Sequence, residues 1–95
     1  MTAPFEPVRG YQLNPDVALR SEPFGALAYH FGTRRLSFLK APDLVELVRE
    51  LGTHRSVSDA LATMPEGRRD VYLRALAALA AADMIVPQPS RAEVP

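Results

Sequence analysis

Cysteine is absent from the 95-residue sequence. That excludes disulfides, thiolate metal sites and a cysteine nucleophile. Net charge is absent as well, because Lys+Arg and Asp+Glu both total 11. Nucleic-acid binders usually carry a basic excess, so this balance weighs against that class. No stretch is long and apolar enough to span a bilayer, and none has the charged start and apolar run of a signal peptide. The apolar run Ala77 to Ala82 is short and flanked by arginines and aspartates. The cytoplasm is therefore the expected location. There is no internal repeat, no phosphate-binding glycine loop and no metal motif. His30 and His54 fall in different elements without metal-ligand spacing. His30 reads as a polar strand residue, because no nucleophile or third group accompanies it. Glu46 and Glu50 lie one helical turn apart on what reads as a solvated face, so acid–base work is not expected of them. No constellation does chemistry, which points to a non-enzymatic protein with no cofactor.

What is present is a change of rhythm at Ala41-Pro42. Val17-Ala18-Leu19-Arg20 can form a strand, followed by Pro23-Phe24-Gly25, which has the residues of a turn. In Ala26 to Phe31, Leu27, Tyr29 and Phe31 alternate with Ala26, Ala28 and His30. Gly32-Thr33 suits a type II′ turn. Arg35 to Leu39 alternates again, with Leu36 and Phe38 on one face. After Pro42 the period becomes helical. Leu44, Leu47, Val48 and Leu51 make one stripe ended by Gly52. Ser56 with Asp59 reads as the start of a short second helix, which Pro65 stops. A longer third helix runs from about Arg68 to Asp83, and Met84-Ile85-Val86 reads as a short extended piece packing back.

The expected fold class is α+β: a three-stranded antiparallel sheet followed by three helices, like a winged helix-turn-helix. Residues 16–87 form the expected domain. Residues 1–15 read as a flexible N-terminal segment and 88–95 as a disordered tail, since both are rich in proline with little to bury. A packed part of about 70 residues is only marginally stable alone, so a partner or a second copy could supply part of its stability.

Two functions suit this outline, and fold alone does not choose between them. One is a winged-helix DNA-binding regulator, weakly favoured by Arg68, Arg69 and Arg74 but opposed by zero net charge and by Glu66, Asp70 and Asp83. The other is peptide capture. The strand that runs into the helical block is left on a sheet edge, and an unpaired edge can take up a peptide as an added strand. Such a site binds in the micromolar to sub-micromolar range and depends on two or three apolar anchors. One strand face must be core, and Leu36 and Phe38 are read as that face. The edge backbone, Ser37 and Leu39 are then what a peptide would meet. Ten of the eleven basic residues are arginine. Arg34, Arg35, Arg68 and Arg69 either serve solubility or rim a groove for an acidic peptide.

From Tyr11 to Arg20, from Glu22 to Leu27, and from Tyr29 to Lys40, the sequence resembles the mycofactocin biosynthesis chaperone family. The helical end, Tyr72 to Leu76 and Met84 to Pro87, is similar too. This family is related to the chaperone of pyrroloquinoline quinone biosynthesis. The resemblance implies an adaptor that binds the leader of a short ribosomally made precursor peptide. It implies presentation of that peptide to a radical S-adenosylmethionine maturase. It also implies that the leader adds to the third strand and lies against the third helix. Carried onto this chain, the peptide-binding residues are Arg34, Arg35, Leu36, Ser37, Phe38, Leu39, Arg69, Tyr72, Leu73 and Leu76. Neither nucleic acid nor membrane is an expected partner, and a monomer or weak homodimer is expected.

Overall fold

The computed structural model describes residues 4–89. Strand β1 spans Tyr11–Leu13, β2 Val17–Glu22, β3 Gly25–His30 and β4 Leu36–Leu39. Helix α1 spans Pro42–Glu50, α2 Val57–Leu61 and α3 Arg69–Ala81, and the chain returns as strand β5, Ile85–Pro87. The three-stranded sheet has the order β2-β3-β4, all antiparallel, so β4 is an edge. This agrees with the α+β expectation of three strands and three helices.

A second, two-stranded sheet pairs β1 with β5, placing Tyr11 opposite Pro87 and Leu13 opposite Ile85. Within the segment 1–15 expected to be flexible, Tyr11 is 3% exposed and Asn14 is also buried, so the described residues around β1 are packed, while 1–3 lie outside the described residues. The segment before β1 is tied down too. Arg9 C=O accepts from Val57 N–H at 3.0 Å, and Pro7 C=O from Ser58 N–H at 2.9 Å. Prolines here remove donors without preventing the remaining carbonyls from satisfying the start of α2. Gln88 is likewise held rather than loose, as described below, while 90–95 lie outside the described residues.

The helices form where the sequence places them. Pro42 opens α1, and the Ser56 hydroxyl accepts from Asp59 N–H at 3.0 Å to cap α2. Leu39, Val48, Leu51, Val57, Leu76, Met84 and Ile85 are the largest fully buried side chains. Each contributes about 1.5–3 kcal/mol by leaving water.

The faces of the sheet are reversed from expectation. Ala26, Ala28 and His30 are buried, with Leu39 from β4, while Leu36 and Phe38 are exposed. The reading of Leu36 and Phe38 as core is therefore overturned. The physical reason is the closeness of α1, which packs on β3 and β4. The small Ala26 and Ala28 in β3 allow that approach, with Leu39 filling the space beside them. His30 is tolerated inside because each ring nitrogen is bonded. Gly32 and Thr33 N–H donate to Nδ1 at 3.0 and 3.1 Å, which leaves the hydrogen on Nε2. Nε2–H then donates to Asp83 Oδ2 at 3.0 Å. Asn14 Nδ2 donates to Asp83 C=O at 2.8 Å. This cluster clips the end of β3, the β1–β2 turn and the turn after α3 together. With Nδ1 occupied, His30 is structural.

The turn after His30 also differs from the expected type II′ form. His30 N–H donates to Arg35 C=O at 2.9 Å, so four residues form the loop. The left-handed position is Arg34, with φ 63°, not Gly32.

Candidate functional site

The edge strand β4 can be described group by group. The bond from His30 to Arg35 fixes the phase of the ladder, because exchanging pairs alternate with non-bonded ones along an antiparallel pair. With Ala28 opposite Ser37 and Ala26 opposite Leu39, those two pairs exchange bonds as well. The N–H and C=O of Leu36 and Phe38 therefore point away from β3, towards the open edge. Ser37 N–H points into the sheet, so it is not the free donor that strand addition needs. The side chains divide by the other alternation. Leu36 and Phe38 lie on the outer face beside Tyr29 and Leu27, and Ser37 and Leu39 lie on the inner face.

The opposite edge is less suited to pairing. The outer face of β2 carries Ala18, Arg20 and Glu22, and Arg20 pairs with Glu22 at 2.9 Å. Charges blunt an edge, whereas the apolar Leu36 and Phe38 leave β4 open to addition.

The remaining sequence-predicted residues scatter. Arg34 and Arg35 are exposed at the start of β4. Arg69 does not rim a groove. Its Nε donates to Met64 C=O at 3.1 Å and its NH2 group to Ala62 C=O at 3.3 Å, satisfying carbonyls left by α2. Tyr72 and Leu76 are 2% and 0% exposed and belong to the core. Among the described residues the buried Tyr72 hydroxyl has no hydrogen-bond partner. Leu73 is half-buried against that core. The helix packed directly behind β4 is α1, while α3 packs mainly on α2 and β5. Arg68, just before α3, forms an ion pair with Asp43 in the first turn of α1 at 3.5 Å. That pair is exposed and adds little stability.

Sequence reasoning missed Phe24 and Lys40. Phe24 stands in the β2–β3 turn and meets Phe38 edge to face, ring centroids 5.9 Å apart. Lys40 lines the same cleft as the two rings. The available signal was parity, since Lys40 alternates in phase with Leu36 and Phe38. Among the described residues, no group of three or more His, Cys, Asp or Glu could hold a metal ion. No described helix is long and apolar enough to cross a membrane.

The fold and its edge define a small α+β domain with an apolar open strand and with its buried histidine bonded at both ring nitrogens. Comparison with known proteins narrows the class. Residues 10–86 match the peptide chaperone MftB family, and the chain belongs to that family. It is 49% identical over 86 residues to the peptide chaperone MftB of Mycobacterium ulcerans (strain Agy99), covering 88% of this chain and 79% of that one. Against the peptide chaperone MftB of Mycobacterium tuberculosis (strain ATCC 25618 / H37Rv), identity is 46% with the same coverage. The Mycolicibacterium smegmatis (strain ATCC 700084 / mc(2)155) peptide chaperone MftB is 46% identical over 85 residues, covering 87% and 83%. These relatives are chaperones rather than enzymes, and the chain is a non-enzymatic member of their family. Among solved structures, E. coli MccB with succinimide matches in fold with a TM-score of 0.54 and 22% identity. That match covers 87% of this chain but only 25% of the MccB chain.

Proposed function

We propose that this protein is a cytoplasmic peptide chaperone of mycofactocin biosynthesis. It binds the leader of a short ribosomally made precursor by adding it as a strand to β4. It then presents the precursor to a radical S-adenosylmethionine maturase. Family membership supports the peptide. The observation that carries strand addition is the orientation of Leu36 and Phe38, whose backbone groups face the open edge. Each bond formed there nets about 1 kcal/mol. Ordering an extended peptide costs about 1–2 kcal/mol per residue, so side-chain anchors have to supply the surplus. Arg34, Arg35 and Lys40 supply positive charge along the same strand.

The test is titration calorimetry with a synthetic leader peptide. Leu36→Pro removes one edge-facing donor at the first position of a strand, where proline is tolerated. The expected result is weaker binding by about tenfold, with the circular dichroism spectrum unchanged. Unaltered affinity would mean that the peptide does not pair with this edge. Ser37→Pro is the contrasting variant, since it removes a bond inside the sheet and should damage the fold itself.

A further inference from the structure

The outer face of β3 and β4 carries apolar side chains that the fold does not use. Phe38 is 60% exposed, Leu36 55% and Phe24 42%. Phe24, Phe38 and Lys40 line a cleft of about 340 Å³, near the lower end of the roughly 300–1,000 Å³ typical of ligand pockets. Lys40 has no ion pair among the described residues. A contiguous exposed apolar patch marks an interaction site.

We propose that this cleft is a specificity pocket for the segment added to β4, and that it selects an acidic residue followed by apolar residues at the second and fourth positions after it. The inference rests on the strand-addition reading above. Residues that exchange bonds with Leu36 and Phe38 stand directly opposite them and share their face. Lys40 alternates onto that face too. An antiparallel segment runs from Lys40 towards Leu36, so the order is acidic, any, apolar, any, apolar. The carboxylate meets the Lys40 ammonium, the first apolar side chain enters the cleft at Phe38, and the second lies beside Leu36 and Tyr29. Charge complementarity favours this occupant over a second copy of the chain. Two β4 edges paired about a two-fold axis at Ser37 would set Lys40 against Arg34 of the other copy, and like charges directly opposite are destabilising.

The probes are two labelled peptides of identical composition, followed by fluorescence anisotropy on the full chain. One carries Glu-Thr-Leu-Thr-Leu between glycines, the other Glu-Thr-Thr-Leu-Leu, which puts threonine opposite Phe38 when its glutamate meets Lys40. The patterned peptide is expected to bind at least about tenfold tighter than the other. Phe38→Ser should remove that advantage. Lys40→Glu should weaken the patterned peptide and restore binding to a version with Lys in place of Glu. Both positions are exposed, so the fold should be intact by circular dichroism. If Leu36→Pro weakens the leader while Phe38→Ser and Lys40→Glu do not, strand addition stands and the pocket is overturned. If neither peptide nor the leader binds, both readings fall. A dimer that Phe38→Ser dissolves in sedimentation, with peptide affinity unchanged, assigns the face to a second copy and overturns the proposal.

Discussion

A single side-chain amide, that of Gln88, holds three segments in register. Its Nε2 donates to Tyr11 C=O at 2.9 Å, His54 C=O at 2.8 Å and Leu51 C=O at 3.3 Å. Its backbone N–H donates to Gly10 C=O at 2.9 Å. Gln88→Leu keeps the size and takes this donor from the Tyr11 and His54 carbonyls, while Leu51 C=O keeps its bond from His54 N–H at 3.2 Å. An acceptor left unsatisfied away from water costs about 1–3 kcal/mol. Urea denaturation should show that loss, and an unchanged midpoint would mean that water replaces the amide freely. Tyr72 is the opposite case. Its hydroxyl is buried without a partner among the described residues, so Tyr72→Phe removes a desolvated group and none of their bonds. Stability should be unchanged or raised by up to about 1 kcal/mol. A clear fall in melting temperature would reveal a hidden partner for the hydroxyl.

At the scale of elements, the β2–β3 turn is the least tolerant joint. Gly25 has φ 147°, and a Cβ there would lie 2.0 Å from Leu39 C=O. That carbonyl belongs to the strand that offers the open edge. Gly25→Ala must therefore push β4 away or strain the turn, and a loss of at least about 1–3 kcal/mol is expected. Thermal unfolding checks it, and a variant as stable as the parent would contradict the geometry. The elements themselves are largely legible in the sequence. Pro42, the Ser56 cap and the leucine stripe of α1 are local signals that tertiary packing does not override. The face of the sheet is not legible in the same way. Alternation separates Leu36 and Phe38 from Ser37 and Leu39, but it does not say which set is inside. That depends on how closely α1 approaches, and on an Asn14–His30–Asp83 cluster whose members are up to 69 residues apart. The site shared this fate: the edge strand was readable from chain order, while its aromatic cleft depends on the reversed face. The pairing of β1 with β5 was hidden for a similar reason, since short strands from distant parts of a chain leave no periodic trace.

For the molecule as a whole, zero net charge weighs against nucleic acid, and the family is one of peptide chaperones. The chain is expected to produce no shift of duplex DNA in a gel assay at low salt. A shift that weakens steeply as salt rises would reopen the regulator reading. The β1–β5 ribbon also bears on how the molecule can be used. Tyr11 lies opposite Pro87, so the first and last strands of the described fold run side by side. In topological terms the domain is a ring with a seam, and Gln88 is the clasp across it. A ring of that kind is portable. It can be set into a longer polypeptide through short connections without being stretched. The β4 edge would then travel with whatever protein carries it.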